Sequence, residues 1–428
     1  MEPIKFSTGI NKKKKKKILM LSDHLLSTSG VGCQSRFLAN GLVDKGCWTV
    51  RQFGAALQHD NHEVVQVHED IIVKPIDGFG NPDMLRIALA TEKPDVLLLF
   101  TDPRFFTWVW EMEDEVHQIC PIAYWHVWDN NPRPTFNDVY YESTDLINCH
   151  SYVTYEICNE KWQDRTNFIP HALPHEVFYP LPWQQKRMWK ERIVGFPRKD
   201  WFTAFWVNRN AKRKRPADVL WAWKLFLDKT ENRDAVLVMH TDPYDQEGPN
   251  LVAVAEHFGI MDNIVFSTDR IDFDKMNILH NVADCCINIA FAEGFGLATL
   301  ESMQVGNPII AAKTGGLTRQ VIDHRDGTEN GVALDITSKT LVGSQGVPFI
   351  YEDYASVEDT ADAIFKLYSM ETADRKALGE KARNYVLEEF SLEKTIDQWH
   401  DTLWDLTEDW KAGKRTTKRY EIMELGEK

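Results

Sequence analysis

Short apolar runs alternate with amphipathic stretches along most of this chain. The runs have the length of strands buried on both faces, and the stretches between them repeat apolar positions every three or four residues, as helices do. The predicted strands are 18–22, 49–53, 96–100, 122–125 and 146–149 in the first half, and 202–207, 235–239, 264–267, 285–290 and 308–312 in the second. This alternation predicts an α/β fold with parallel, doubly wound sheets.

A turn-rich segment separates the two series of strands. Residues 173–183 carry three prolines and form a candidate linker. We therefore predict a first αβ domain over 1–183, a second over 184–390, and a C-terminal helical segment over 391–428.

Composition fits two folded domains with local basic patches. The chain has 428 residues, of which 43% are hydrophobic, and no apolar run approaches the ~20 residues that span a bilayer. Without a secretory pattern or a CxxC pair, we expect a cytoplasmic protein with reduced cysteines. The net charge of −15 argues against indiscriminate nucleic-acid binding, yet lysine and arginine cluster at 12–17, 186–199, 209–215 and 411–419.

The most informative segment is 291–301, Phe-Ala-Glu-Gly-Phe-Gly-Leu-Ala-Thr-Leu-Glu. It follows a predicted strand and opens a predicted helix over 297–305. A strand, a glycine turn and a helix N-terminus form an anion site, because free N–H groups and the helix dipole face the ligand. Glu293 at the turn and Glu301 about two helical turns later can then reach hydroxyls on either side of a bound phosphate, an arrangement that suits a nucleotide sugar.

A basic pair follows the strand 202–207. Arg209 and Lys214 come just past the carboxyl end of that strand, where an open α/β sheet binds its ligands. A guanidinium and an ammonium there can grip a diphosphate and stabilise its charge as a leaving group. The alternative is a solvated basic loop.

Two glycine loops are candidates for backbone contacts with a ligand. Ser29-Gly30-Val31-Gly32 lies several residues beyond its strand, so it does not fit a dinucleotide fingerprint, but it can approach donor phosphates or an acceptor. Thr314-Gly315-Gly316-Leu317 follows the strand 308–312 and is either a cleft-edge loop or an ordinary strand-to-helix turn.

Histidines and tryptophans near strand ends allow two interpretations each. His126 and His171 would lie near the cleft, although a lone histidine in an aromatic setting is more often a packed core residue. Trp108, Trp110 and Trp125 form either part of a large aromatic core or a stacking surface. No group of side chains has convincing metal-ligand spacing, and no pattern suggests a covalent nucleophile.

Together these motifs resemble a known family. Glu293-x7-Glu301, the Arg209–Lys214 pair and the two glycine loops occur in the order found in the retaining GT-B glycosyltransferases of family 4, the "glycosyl transferases group 1" domain. The resemblance is strong over about 200–325 and looser over 18–180. It implies two Rossmann-like domains around a cleft, and a C-terminal helix that crosses back onto the first domain. It also implies metal-independent transfer from a nucleoside diphosphate sugar, most commonly a UDP-sugar.

The same resemblance implies residue roles. Arg209 and Lys214 would bind the donor diphosphate, Glu301 the ribose and Glu293 the transferred sugar. His126 would be the catalytic-cleft histidine. Further donor contacts would come from the backbone at Gly30, Gly32, Phe295, Gly296 and Leu297. Thr318-Arg319 departs from the family's usual Pro-Glu, which bears on the identity of the donor.

The first domain is similar to glycosyltransferases encoded by tailed bacteriophages. The similarity rests on Ser22-Asp23-His24, residues 78–83 and residues 101–105. It implies a hydroxymethylated base in DNA as the acceptor and the host cytoplasm as the compartment. The alternative acceptor is a lipid-linked or polysaccharide sugar, for which residues 12–17 would contact an anionic membrane. A non-catalytic sugar-nucleotide binder and, less favoured, an NAD-dependent enzyme are the remaining alternatives.

Overall fold

Two parallel sheets dominate the molecule. The computed structural model describes residues 14–57, 61–231 and 233–414. Within these ranges the first sheet has eight strands in the order β3-β4-β2-β1-β5-β6-β7-β8, parallel except for the β3–β4 pair. Its strands are β1 Lys16–Asp23, β2 Trp48–Ala55, β3 Val65–His68, β4 Ile71–Pro75, β5 Val96–Thr101, β6 Ile122–His126, β7 Leu146–Cys149 and β8 Thr166–Phe168.

The second sheet has the order β11-β10-β9-β12-β13-β14 and is parallel throughout its described strands. A separate antiparallel hairpin, β15–β16, follows it. These strands are β9 Phe202–Val207, β10 Ala235–His240, β11 Ile264–Ser267, β12 Cys285–Asn288, β13 Ile309–Ala312, β14 Gly331–Leu334, β15 Ser338–Val342 and β16 Ile350–Tyr354.

Helices cover both faces of each sheet. Those of the first half are α1 Gly30–Asp44, α2 Pro82–Glu92, α3 Thr107–Glu111, α4 Glu113–His117, α5 Asp138–Glu142 and α6 Tyr152–Asn159. The later ones are α7 Trp183–Val194, α8 Pro216–Asp228, α9 Leu251–His257, α10 Met276–Val282, α11 Leu297–Gln304, α12 Thr318–Val321, α13 Val357–Ser369, α14 Thr372–Glu389 and α15 Leu392–Lys411. The predicted doubly wound α/β architecture is confirmed.

The strand order reverses once in each sheet. β1 lies between β2 and β5, and β9 lies between β10 and β12. In doubly wound sheets, ligands bind outside the carboxyl ends of the strands at this reversal. The segments that follow β9 and β12 contain Lys214 and Glu293, so the topology brings these two residues to the same edge of the second sheet.

The C-terminal helix α15 packs against the first domain, as the resemblance implied. Trp399 is fully buried, and its ring centroid lies 4.9 Å from that of Trp125 on β6. Ile396, Leu403 and Leu406 join the same core as β1 and α1. The helical segments break at Phe390 and Ser391, while the predicted boundaries at 183 and 390 stay predictions.

The sequence pattern missed several strands, among them the polar β3 and β15 and the more apolar β4 and β14. β3 alternates half-buried and exposed residues, and β15 is exposed along nearly its whole length, so neither carries the apolar run that identifies a buried strand. The tryptophans belong to the core, because Trp110 and Trp125 are at most 5% exposed and Trp108 is partly buried against the same core as Trp110. In the part of the chain that the structure describes, every helix is too short or too polar to cross a bilayer.

The basic run at 12–17 is partly built into the first domain. Lys16 starts β1, and its ammonium lies 3.6 Å from the ring centroid of Trp404, while Lys17 pairs with Glu92 at 2.7 Å. Lys12 and Lys13 lie outside the described residues, as do residues 415–419 of the C-terminal basic cluster.

We expect Trp399→Ala to lower the free energy of unfolding by about 3–5 kcal/mol, because it removes a buried indole from the contact between α15 and the first domain. Denaturant titration of the variant measures this loss. Trp221→Ala is the control, since Trp221 lies on α8 and is 44% exposed. Equal stabilities of the two variants would contradict the docking role of α15.

Candidate functional site

A cleft of about 830 Å³ opens at the carboxyl edges of the two sheets and is lined by both halves of the chain. The N-termini of α1 and α11 face each other across it, since a Cβ built at Gly30 would lie 3.1 Å from Cδ1 of Leu297. The lining includes the predicted residues Gly30, Lys214, Glu293, Phe295, Gly296, Leu297 and Glu301.

Lys214 and Glu293 form an ion pair on the wall of the cleft. The Lys214 ammonium donates to Oε2 of Glu293, and the two side chains are only 12% and 11% exposed. Burial disfavours the Glu293 carboxylate, but the Lys214 and Arg213 cations outweigh burial and hold the pKa of Glu293 below its usual value. Burial lowers the pKa of Lys214. Glu293 is therefore an ionised carboxylate at neutral pH.

The Gly-Phe-Gly turn brings the α11 N-terminus close to the cleft. Gly296 has φ of +94°, and a Cβ there would lie 2.5 Å from Cδ2 of Leu317. A Cβ on Gly294 would lie 2.8 Å from Oδ1 of Asp129 and 3.0 Å from Nε2 of His150. No side chain caps the helix, so the first-turn N–H groups are available to an anion.

The Glu301 side chain is oriented by a hydrogen bond with the buried His280. Nε2 of His280 lies 2.9 Å from Oε2 of Glu301, and Nδ1 of the same ring lies 2.7 Å from Oγ of Ser302. His280 is fully buried, whereas Glu301 lines the cleft. Glu293 thus lies in the loop before α11 and Glu301 in the last turn of that helix, and both line the cleft.

The structure does not bring Arg209 onto the cleft wall. Its side chain is 65% exposed, and its Nε donates to Oδ2 of Asp245 at 2.7 Å. Its neighbour Arg213 lies closer to Glu293, donating to the carbonyl oxygen of Ala292 at 2.5 Å. The diphosphate role of Arg209 stays a prediction.

His126 and Gly32 also lie away from the cleft wall. His126 ends β6, but its ring is fully buried, with Nε2 2.6 Å from the Tyr141 hydroxyl and Nδ1 3.8 Å from Sγ of Cys158. A Cβ on Gly32 would lie 2.1 Å from Oγ of Ser27, so this glycine packs under its own loop. The core alternative describes His126, and its catalytic role stays a prediction.

Three other histidines, His150, His171 and His240, line the cleft instead. His150 and His171 stack with ring centroids 4.6 Å apart, and burial lowers the pKa of His150 to about 4 and that of His171 well below its usual value. Nδ1 of His150 donates to the carbonyl oxygen of His126 at 2.6 Å, so in the neutral ring Nε2 is an acceptor directed towards Gly294. His150 directly follows β7, and the strand-end argument applied to His126 would have found it.

Sequence reasoning also missed two cleft cations, Arg36 and Arg270. Arg36 lies on α1, with its guanidinium 5.8 Å from the ring centroid of Phe273. Arg270 follows β11 and is exposed. Nothing in the local sequence distinguishes either residue from an ordinary surface arginine.

Contacts between the two halves close one side of the cleft. Arg213 and Asp129 are 3.3 Å apart, and Nδ2 of Asn130 donates to Oδ2 of Asp353 at 2.6 Å. The backbone N–H of Tyr351 donates to the carbonyl oxygen of Asn131 at 2.8 Å. The β15–β16 hairpin therefore joins the second half to the loop after β6.

Curated proteins match part of the chain. A 208-residue segment, 49% of this chain, is 26% identical to 46% of N-acetyl-alpha-D-glucosaminyl L-malate synthase from Bacillus anthracis. A 177-residue segment, 40% of this chain, is 28% identical to 37% of D-inositol 3-phosphate glycosyltransferase from Acidothermus cellulolyticus. The matched segments span less than half the length of these relatives.

Solved structures match nearly the whole fold. Sucrose-phosphate synthase from Thermosynechococcus elongatus superposes with a TM-score of 0.72 at 17% identity, covering 92% of this chain and 99% of that one. Anabaena Alr3699/HepE in complex with UDP and glucose gives a TM-score of 0.67 at 15% identity, covering 91% and 100%. Residues 188–385 match the family "Glycosyl transferases group 1". The second half of this chain thus matches the glycosyl transferases group 1 domain, within a chain that has the GT-B fold.

Proposed function

We propose that this protein is a retaining glycosyltransferase that moves a sugar from a nucleoside diphosphate sugar, with UDP as the expected nucleotide, to an acceptor hydroxyl. The observation that carries the proposal is the Lys214–Glu293 pair beside the uncapped N-terminus of α11, with Glu301 at the other end of that helix. Structures of the similar HepE protein with UDP and with UDP-glucose support this donor class.

The donor diphosphate would lie between the α11 N-terminus and Lys214. Two negative phosphates next to free N–H groups and an ammonium are favourable in a site with little water. Glu301, oriented by His280, would accept hydrogen bonds from the ribose hydroxyls. Arg36 and Arg270 would add positive charge, and Arg209 would have to leave Asp245 to do the same.

The two glutamates hold the donor rather than act as a glycosidase pair. A glycosidase needs one carboxyl to protonate the leaving oxygen and another to attack or to activate water. A diphosphate is already a good leaving group, so electrostatic stabilisation of its growing charge is the main requirement. The acceptor hydroxyl would attack from the face that the diphosphate leaves, with its proton passing to the departing phosphate, which retains the anomeric configuration. The cations of the cleft supply the neutralising charge without a metal ion.

His150 would contact the transferred sugar. Its Nε2 is an acceptor close to Gly294, next to the carboxylate of Asp129. A sugar hydroxyl can donate to this nitrogen because the ring is neutral above about pH 4. His150 would then take the contact that the resemblance assigned to His126.

For the acceptor, we propose a hydroxymethylated base in DNA over a lipid-linked or polysaccharide sugar. The membrane alternative relied on residues 12–17, but Lys15, Lys16 and Lys17 each pair with a carboxylate of the protein itself. These three ammonium groups are therefore already neutralised, which weakens their attraction to anionic lipid. A sugar-nucleotide binder without transfer activity would use the ion pair and both glutamates in the same way, so measured transfer to an acceptor separates it from the enzyme.

Lys214→Ala should lower turnover of the UDP-sugar about 10²–10³-fold, because the leaving diphosphate loses its buried cation. The release of UDP measures turnover. Lys212→Ala is the matched control, since Lys212 belongs to the same turn but is exposed. By the resemblance, Arg209→Ala should also reduce turnover. Near-normal rates in both the Lys214 and Arg209 variants would contradict the diphosphate site.

The stability difference between the wild type and Glu293→Gln should depend on pH. The folded-state pKa of Glu293 lies below its unfolded value of about 4.3, so the carboxylate stabilises the fold above that value. Its contribution is lost as the pH falls from about 4.3 through the lower folded-state pKa. Thermal unfolding at neutral pH and near pH 3 measures the difference, which should be largest at neutral pH and shrink in acid. A difference that stays constant would show that the carboxylate charge does not stabilise the pair.

Labelled UDP-sugar should transfer its label to hydroxymethylcytosine DNA and not to unmodified DNA. A lipid extract and a polysaccharide serve as parallel acceptors, because the alternative acceptor class would be labelled there. Mismatched or single-stranded DNA should react faster than duplex, since the base must leave the stack to enter a cleft. Label found only in the lipid or polysaccharide arm would exclude the DNA acceptor.

A further inference from the structure

A second cavity, of about 610 Å³, lies at the opposite edge of the second sheet. Phe202, Asp284 and Pro308 mark the beginning of β9, β12 and β13, so this is the amino-terminal edge, away from the cleft. The cavity lies among α7, α10 and α14. Its charged lining consists of Lys186, Arg187, Lys190, Lys199, Arg375 and Lys376 on the positive side and of Asp200, Asp284 and Glu380 on the negative side.

The lining of this cavity has six cations and three carboxylates. Three of the cations have one acidic partner each: Arg187 pairs with Asp200 at 3.1 Å, Lys199 with Glu191 at 3.0 Å and Lys376 with Glu380 at 3.8 Å. Asp284 forms ion pairs with two cations, Lys190 at 3.1 Å and Arg375 at 3.5 Å. Lys186 is half-buried and has no ion pair among the described residues, and burial lowers its pKa. A half-buried ammonium without a counter-ion is costly, and an anion placed in the cavity would relieve that cost.

The same surface presents large exposed aromatic side chains. Trp183 is 69% exposed and Phe196 is 74% exposed, and the Lys199 ammonium lies 4.7 Å from the ring centroid of Phe196. Residues 183–201 contain six lysines and arginines and two carboxylates, in a chain whose net charge is −15. Cations beside exposed aromatic rings are the combination that holds single-stranded nucleic acid, with phosphates on the cations and bases stacked on the rings.

A small phosphorylated ligand would explain the cations of the cavity but not the exposed aromatic rings. It would leave Trp183 and Phe196 in water, because Phe196 is not part of the cavity lining and Trp183 lies at its rim. A strand of nucleic acid crosses the cavity and continues over both rings. The aromatic side chains therefore favour the polymer.

One short helix connects this surface with the cleft. Met276 at the start of α10 lines the cleft, and Val282 at its end lines the second cavity. At 1.5 Å per residue, the six steps between them correspond to about 9 Å. This is the length of a mostly buried helix and not a path along the surface, so it sets only a lower bound on the length of strand that would link the two sites.

We propose that the surface formed by α7, residues 195–201 and the start of α14 binds single-stranded nucleic acid, with backbone phosphates at Lys186 and Arg187 and bases stacked on Trp183 and Phe196. This surface would deliver the acceptor base to the cleft. That delivery role rests on the proposed transfer reaction, whereas binding is measured without any transfer.

Fluorescence anisotropy with a labelled oligothymidine of about 20 nucleotides tests the proposal. The Lys186→Ala/Arg187→Ala double variant should bind at least about 10-fold more weakly at about 50 mM salt, with a shallower salt dependence, because two phosphate contacts are lost. Trp183→Ala and Phe196→Ala should each weaken binding about 5-fold or more. The matched control is Lys229→Ala/Lys366→Ala, because these two lysines are 42% and 58% exposed and neither belongs to the cavity lining.

Two outcomes would overturn the proposal. Equal affinities of the surface variants and the control would exclude this surface as the docking site. Binding of inorganic pyrophosphate that depends on Lys186, together with an oligonucleotide affinity that does not, would make the cavity a small-phosphate site. Hydrolysis of the donor without an acceptor, measured as release of UDP, should be the same in the surface variants as in the wild type. If the wild type also fails to turn over donor, the transfer reaction fails while the binding result stands.

Discussion

Lys214 and Glu293 are 79 positions apart and meet because β9 and β12 are neighbours in the second sheet. An ion pair so little exposed is a weak source of stability, since the desolvation of two charges offsets most of their attraction. Its value lies in placing an ammonium, a carboxylate and a free helix N-terminus around one space. A diphosphate that enters this space would replace Glu293 as the partner of Lys214. The free energy of desolvating the Lys214 ammonium is therefore spent when the chain folds and not when the diphosphate binds.

The first domain completes this space by means of distant contacts. α15 fills its core with Trp399, and the loop after β6 is tied to the β15–β16 hairpin through Asn130 and Asp353. These contacts fix Gly30 against Leu297 and set His150 beside Gly294. The shape of the cleft therefore depends on contacts between the two domains. Glycine is needed at Gly30 and Gly294 because a side chain there would run into the opposite domain.

Apolar runs located most strands of the two sheets closely, because such runs mark strands that are buried in the middle of a sheet. The predictions 146–149 and 202–207 match to the residue, whereas 18–22 lies inside β1 and 285–290 extends past β12. The strand-end argument then located Lys214 and Glu293 correctly on the cleft wall. It could not give the direction of a side chain. Arg209 also follows a strand end, yet its guanidinium pairs with Asp245, 36 residues away, and the ring of His126 turns inward to Tyr141. Such partners are set by tertiary packing, which a local pattern does not encode.

Charge distribution explains why acceptor recognition would need a dedicated surface. A chain with net charge −15 repels a polyanion over most of its surface, and salt screens that repulsion only beyond about 10 Å. A polyanion can therefore approach only where cations outnumber carboxylates locally, as they do around Lys186. On the proposed function, the cleft would hold one nucleotide sugar and its cations would be engaged by that donor. Acceptor affinity would then have to come from outside the cleft, and α10 is the element that joins the two places.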